Sequence, residues 1–159
     1  MSTARTLKLG LGSVIAAVAL LVPGSVSAAA PSSAATPPFP PGVVIGTPNA
    51  DILVGSPRSD IMFGLAGDDR MYGGPGADRI FGGLGDDWIR GGAGPDTLRG
   101  GPGVDHIFGG PGNDLILAAG DGSADVISCG DGRWDMAIVD PNDQVANDCE
   151  FVWARDPEN

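Results

Sequence analysis

The chain has 159 residues, of which 27 are glycine, and its 20 acidic residues outnumber nine Lys and Arg residues to give a net charge of −11. A protein this acidic repels nucleic-acid phosphates and anionic membranes, which argues against both as partners. All acidic residues except Glu150 and Glu158 are Asp, and eight of the 18 Asp residues recur at a fixed interval.

Residues 1–30 have the layout of a secretory signal peptide. Arg5 and Lys8 form a positive start, the run that ends at Val22 is otherwise apolar apart from Gly and Ser, and Val26-Ser27-Ala28 resembles a cleavage site. We predict cleavage and a secreted, extracellular chain with no membrane insertion; a retained membrane helix is the alternative. The exported chain would carry seven Arg against twenty carboxylates, a net charge of −13.

Residues 31–45 are predicted to be a linker. Pro31 to Gly42 contains five prolines and no periodic apolar pattern, which favours an extended tether without a core of its own.

Residues 46–117 form eight consecutive rows of nine residues without an insertion. Position one is Gly in every row, position six is Asp, and position eight is Leu, Ile or Met. A fixed period of this kind is typical of a repeat architecture. The Asp residues at position six are Asp51, Asp60, Asp69, Asp78, Asp87, Asp96, Asp105 and Asp114.

One apolar residue in nine is too sparse for a helix, so the segments around position eight are predicted to be three-residue β-strands. Glycine at positions one, two and four allows left-handed backbone and close approach of neighbouring turns. Two rows then make one coil, and parallel strands of successive coils lie about 4.8 Å apart. The predicted fold is all-β: a right-handed parallel β-roll with a thin core of Leu, Ile and Met.

Stacked coils also stack the Asp carboxylates, in one column along each edge of the roll. Carboxylates at that spacing repel by about 1 kcal/mol or more per pair, and a divalent cation between turns would reverse the sign. Ca²⁺ takes six to eight oxygen ligands in flexible geometry, whereas Mg²⁺ requires a tighter octahedron. Zn²⁺ would require His or Cys ligands that the rows lack.

The rows resemble the nonapeptide G-G-x-G-x-D-x-U-x of the repeats-in-toxin (hemolysin-type) calcium-binding family. The resemblance implies Ca²⁺ sites between a turn and the turn two rows further on, at 64/82, 82/100, 73/91 and 91/109: four expected sites, six at most. It implies as ligands the Asp residues of the last six rows together with turn carbonyls. The implied metal-site residues are Asp69, Asp78, Asp87, Asp96, Asp105 and Asp114 with Gly64, Gly67, Gly73, Gly76, Gly82, Gly85, Gly91, Gly94, Gly100, Gly103, Gly109 and Gly112.

The first two rows depart from the pattern. Thr47 and Ser56 replace the second Gly, and Arg58 places a positive charge where a cation would bind. Asp51 and Asp60 are therefore set apart from the four expected sites, and these rows are predicted to form an N-terminal cap.

Residues 118–159 are predicted to be degenerate repeats and a C-terminal cap. Asp125 and Asp135 occupy position six of two imperfect rows, and an open solenoid end needs covering. In an exported chain, Cys129 and Cys149 favour a disulfide. Trp134, Phe151 and Trp153 are expected to cover the final coil.

No catalytic array is apparent, and we predict a protein that is not an enzyme. His106, the single His, lies at an outward position; regular Asp columns do not resemble a glycosidase pair, and the Gly clusters lack the Lys of a phosphate loop. The expectation is a secreted calcium-binding protein whose roll folds when calcium binds.

The outward positions carry aromatic and Arg residues, including Trp88, Phe108 and Arg90. Such a face suits a glycan or a protein partner, although flat β-faces favour aromatic residues in any case. The alternative function is therefore a cell-surface or matrix adhesion module.

Overall fold

The computed structural model describes residues 42–155 and the backbone of Ser32–Ser33. The predicted signal peptide and most of the predicted linker lie outside these residues. Every regular element of the described part is a β-strand, and no helix there is long and apolar enough to cross a membrane.

Fourteen strands alternate between two parallel seven-stranded sheets, which confirms the predicted all-β parallel solenoid. We call them the odd sheet (β1, β3, β5, β7, β9, β11, β13) and the even sheet (β2, β4, β6, β8, β10, β12, β14). The strands are β1 Ser32–Ser33, β2 Val43–Ile45, β3 Asp51–Val54, β4 Ile61–Ala66, β5 Arg70–Pro75, β6 Arg79–Leu84, β7 Trp88–Ala93, β8 Thr97–Arg99, β9 His106–Phe108, β10 Leu115–Leu117, β11 Val126–Ser128, β12 Met136–Val139, β13 Gln144–Val145 and β14 Phe151–Ala154.

The position-eight residues form the hydrophobic core. In the even sheet Met62 pairs with Ile80, and Ile80 with Leu98, each one coil of eighteen residues apart. Because side chains of a strand alternate between its faces, each of the strands β3 to β11 contributes one such residue to the space between the sheets. All of these side chains are at most 1 % exposed: Leu53, Met62, Met71, Ile80, Ile89, Leu98, Ile107, Ile116 and Ile127.

The strands differ in two ways from the sequence-based expectation. Val43–Ile45 lies in the predicted linker but forms β2 and pairs with Ile61–Phe63. These residues are β-branched, which favours the additional strand in the sheet. The strands β4 to β7 contain six residues rather than three, because the ladder continues into the next row: Leu65 pairs with Gly83 and Gly74 with Gly92.

The C-terminal segment continues both sheets. Ile127 pairs with Ile107 and Ala137 with Ile116, so the two imperfect rows keep the register despite their inserted residues. Cys129 and Cys149 form the predicted disulfide, with Cα atoms 5.1 Å apart.

The predicted aromatic cover over the last coil is wrong. Trp134 and Trp153 are 66 % and 70 % exposed, and every residue of β14 is exposed. Phe151 instead stacks on Trp134 with ring centroids 5.7 Å apart. β14 pairs with β12 as a further parallel strand, so its alternate side chains point to the outer face of the even sheet rather than over the end of the roll.

Candidate metal centres

The position-six Asp residues form two hydrogen-bonded columns in the interior of the roll. The backbone N–H of Asp69 donates to Oδ1 of Asp87 at 2.9 Å, and the N–H of Asp87 donates to Oδ1 of Asp105 at 2.8 Å. Each such carboxylate therefore ties its own coil to the preceding one. The first column contains Asp51, Asp69, Asp87, Asp105, Asp125 and Asp143, and the second contains Asp60, Asp78, Asp96, Asp114, Asp135 and Glu150.

The second carboxylate oxygen is buried without a hydrogen-bond partner among the described residues. An oxygen in this state costs about 1–3 kcal/mol, and more if it carries charge. The Asp side chains concerned are at most 2 % exposed, so bulk solvent does not reach these oxygens. The unpartnered atoms are Oδ2 of Asp69, Asp78, Asp87, Asp96, Asp105, Asp114, Asp125 and Asp135.

The position-one glycines provide the space in which these oxygens lie. A Cβ on Gly82 would overlap Oδ2 of Asp87 and would lie 2.8 Å from the carbonyl oxygen of Gly100, one coil further on. The same two kinds of oxygen border Gly91, where an added Cβ would lie 2.8 Å from the carbonyl oxygen of Gly109. Position one is therefore glycine because a carboxylate oxygen and a backbone carbonyl converge there.

Positions two and four require glycine for a different reason. Gly83 and Gly85 have φ values of 122° and 120°, in the left-handed region that side chains disfavour. Leu65 is the one non-glycine residue with such an angle among the described residues, at φ 83°. These two positions turn the chain between strands.

In the first two rows, side chains and backbone of the cap supply the missing donors. The N–H and the hydroxyl of Ser56 donate to Oδ2 of Asp60 at 2.6 and 3.0 Å. Thr47 makes the same two bonds to Oδ2 of Asp51, at 2.5 and 2.9 Å. The residues that break the glycine pattern therefore satisfy the Oδ2 atom that the later rows leave unpaired, although Oδ1 of Asp51 has no hydrogen-bond partner among the described residues.

Burial raises the pKa of the central carboxyl groups. The pKa of Asp87, Asp96 and Asp105 rises to about 7 because burial disfavours the charged form, and neighbouring carboxylates of the column add to the effect. The pKa of Asp69 and Asp114 rises to about 6 for the same main reason. The backbone N–H received at Oδ1 acts in the opposite direction but does not offset burial.

The donor atoms fit a calcium ion. No group of three His, Cys, Asp or Glu side chains lies close enough to hold a metal within the described part of the chain, so a site must combine carboxylate oxygens with backbone carbonyls. Hard oxygen donors from flexible turns are the ligands that Ca²⁺ accepts. The hydrogen-bonded pairs Asp69–Asp87, Asp87–Asp105, Asp78–Asp96 and Asp96–Asp114 join the turns of the four predicted sites.

The structure also identifies two acidic residues that the predicted sites omit. Asp125 and Asp135 extend the columns by one coil and carry the same unpartnered oxygen. Their place at position six of the imperfect rows could have indicated them as site residues. The inserted residues interrupt the nine-residue count, so they were left out of the predicted sites. The coil of Asp135 differs in one respect: Cys129 takes the place of a position-one glycine, and its carbonyl oxygen lies against Gly109.

The repeat rows match a known family model, described as the RTX calcium-binding nonapeptide repeat (4 copies), at residues 45–80 and 81–116. Each match has the length of four nonapeptides, and together they cover the eight rows with a shift of one residue. Neither a curated protein nor a solved structure matches the chain. Turns with buried carboxylates, converging carbonyls and left-handed glycines lie within the matched residues, and the segment 45–116 therefore carries RTX calcium-binding nonapeptide repeats.

Proposed function

We propose that the chain is a secreted, non-enzymatic calcium-binding protein whose β-roll folds when calcium binds between its turns. The observation that carries this proposal is the pair of columns of buried Asp oxygens without a donor. The family of the repeats supports calcium as the ligand.

The unfolded chain keeps these carboxylates hydrated and apart. Folding without a cation would bury at least eight unpartnered oxygens, either as charged groups or as protonated ones. Either choice opposes folding, because burial of an uncompensated charge is costly and protonation near neutral pH costs free energy. The small core, one residue per strand, leaves little hydrophobic stabilisation to offset this cost.

The residues that would hold calcium follow from the geometry. Each site would combine Oδ2 atoms of hydrogen-bonded Asp neighbours with turn carbonyls, such as those of Gly100 and Gly109. Bound calcium supplies the positive charge that these oxygens lack. The binding free energy then becomes folding free energy.

Export is consistent with the disulfide. Disulfides persist in oxidising compartments, and Cys129–Cys149 forms at the end of the roll. Millimolar calcium is also found outside cells, where modules with sites of about 0.1–1 mM affinity operate.

Calorimetric titration of the chelator-treated chain tests the proposal. At neutral pH we expect about four calcium ions per chain, one for each hydrogen-bonded pair among the Asp residues of the last six rows, with dissociation constants of roughly 0.1–1 mM. A parallel titration with MgCl₂ should give much weaker heats. Absence of calcium binding at 10 mM, roughly tenfold above that range, would exclude the proposal.

A second candidate function is an interaction module on the outer face of the odd sheet. Trp88 of β7 stacks on His106 and packs against Phe108, both on the same face of the neighbouring strand β9, with ring centroids 5.1 and 5.0 Å apart. Trp88→Ala combined with Phe108→Ala should abolish partner capture while calcium-induced folding is kept; capture that survives both changes would reject this surface.

A further inference from the structure

An open groove of about 410 Å³ runs along the edge of the odd sheet, where turns of successive coils meet the outer face. Its walls include Asp68 and Asp86 from position five of two turns and Arg70, Trp88 and His106 from the sheet. The groove therefore combines hydrogen-bond acceptors, a donor and an aromatic ring in one concave surface.

The two outer carboxylates of the groove are each held in place by the coil that follows. Oδ1 of Asp68 accepts the N–H of Asp86 at 3.0 Å, and Oδ1 of Asp86 accepts the N–H of Val104 at 2.8 Å. With Oδ1 engaged, Oδ2 of each residue is available to a ligand. Because Asp68 and Asp86 occupy the same position in successive coils, the two acceptors are separated by the inter-strand distance of about 4.8 Å.

The aromatic wall is fixed as well. Trp88 is 41 % exposed, and its ring is stacked on His106 at an interplanar angle of 19° and packed against Phe108. A ring held in this way presents an apolar surface to a ligand without losing side-chain entropy on binding.

The opposite edge of the roll lacks these position-five carboxylates. There, position five is occupied by Ala77, Pro95 and Asn113 in successive coils. A groove of about 560 Å³ lies beside Pro95 and Asn113 on that edge, so the feature that distinguishes the first groove is the combination of two outer carboxylates with Trp88.

We propose that this groove binds an uncharged, hydroxyl-rich glycan. The apolar C–H surface of a pyranose would pack against the exposed part of Trp88 that His106 leaves uncovered. Its hydroxyl groups would donate to Asp68 and Asp86, and Arg70 would donate to a ring or hydroxyl oxygen. The carboxylates and the net charge of −11 disfavour acidic sugars, and Arg70 disfavours a purely cationic ligand. The inference rests on the second proposed function and names its ligand class.

The test uses the calcium-saturated full chain with maltohexaose, cellohexaose and an oligogalacturonate of the same length as probes, measured by calorimetry. At least one neutral probe should bind, and the acidic probe should bind at least about tenfold more weakly. In a Trp134→Phe, Trp153→Phe background Trp88 is the remaining tryptophan, and its fluorescence should change with the same midpoint.

Variants locate the site. Trp88→Ala should weaken binding at least about tenfold, and Asp68→Asn with Asp86→Asn should weaken it by about fivefold or more. Phe81→Ala is the matched control, because Phe81 stacks on Phe63 of the even sheet and should leave affinity unchanged. Circular dichroism verifies that each variant is folded.

The inference is overturned if no neutral probe binds at 10 mM, roughly the weak end of specific recognition, or if Phe81→Ala causes the same loss as Trp88→Ala. Capture of a protein through Trp88 and Phe108 with no binding of any glycan would also overturn it, while the second proposed function would stand. The calcium titration is unaffected by either result, so failure of the glycan site and failure of calcium-coupled folding are distinguishable.

Discussion

The backbone N–H of Asp69 donates to Oδ1 of Asp87 at 2.9 Å, while Oδ2 of the same Asp87 carboxylate is buried without a partner. One oxygen thus joins two coils, and the other is left for a ligand. This division repeats along both columns, and it separates the structural role of each Asp from its proposed metal-binding role.

Asp87→Asn tests that division. The amide can keep the inter-coil hydrogen bond at Oδ1 but cannot contribute a charged ligand. We expect the variant to bind one or two calcium ions fewer, because Asp87 belongs to two hydrogen-bonded pairs, and the metal-free form should be more ordered than that of the unmodified chain. Calorimetric stoichiometry and far-UV circular dichroism measure the two effects.

Asp60→Asn is the matched control for that experiment. Asp60 has the same position in its row and is 2 % exposed, but its Oδ2 accepts bonds from Ser56. The calcium stoichiometry should remain unchanged. Equal losses of calcium in the two variants would contradict the assignment of Ser56 as the replacement donor.

Gly82→Ala tests whether position one is glycine for space. Its Cβ would overlap Oδ2 of Asp87 and approach the Gly100 carbonyl, so the variant should lose about 1–3 kcal/mol of stability in calcium and should bind less calcium. Gly122→Ala is the control: no atom lies within 4 Å of its Cβ position, and its φ of 77° costs about 1 kcal/mol. Thermal unfolding in saturating calcium compares them, and a harmless Gly82→Ala would refute the steric argument.

The eight in-phase rows were sufficient to predict the coil length, the parallel sheets and the core residue of each strand, because an interval of nine residues fixes which positions stack. The pattern did not show that Asp87 lies inside the roll with one oxygen bonded to the preceding coil. A repeated Asp is compatible with either side of a turn, and the side is decided by the backbone of the neighbouring coil. The same limitation explains why Ser56 was seen only as a departure from glycine and not as a donor.

The C-terminal end was predicted less well. The pair of cysteines, Cys129 and Cys149, in a chain predicted to be exported indicated the disulfide, but Trp153 was expected to cover the core and instead is 70 % exposed. Apolar character alone does not distinguish an end cap from an added strand. The register of β14 on β12 decides it, and that register depends on insertions that the repeat does not encode.

The pH dependence of the metal-free chain follows from the raised pKa values. Asp87, Asp96 and Asp105 have a pKa of about 7 in the folded chain, above the ordinary value near 4 of an unfolded chain. The folded state therefore binds more protons between these values, and the free energy of unfolding falls as the pH rises through that range.

We accordingly expect the metal-free protein to be more ordered at pH 5 than at pH 8. In calcium the dependence should reverse, because protons and calcium compete for the same oxygens, and the calcium midpoint should increase as the pH falls below about 7. Circular dichroism of desalted, chelator-treated protein across this range measures the first effect. A metal-free form that becomes more stable as the pH rises from 5 to 8 would contradict the burial of these carboxyl groups.

The disulfide should stabilise the end of the roll without taking part in calcium binding by the matched rows. Replacing both Cys129 and Cys149 with Ser removes a link across 20 residues, which should cost about 3 kcal/mol on the chain-entropy model. The number of bound calcium ions in the turns of residues 64–114 should not change. Loss of calcium at those turns would show that the disulfide and the calcium sites of the Asp columns are coupled.

Far-UV circular dichroism of the full chain at pH 7.5, recorded after calcium removal and again after calcium is restored, is the most direct measurement. Because the buried Asp oxygens oppose folding unless a cation accompanies them, the account predicts weak β-structure without the metal and a cooperative gain of β-signal as calcium is added, reversed by chelator. A metal-free spectrum and melting temperature equal to those in calcium would contradict it.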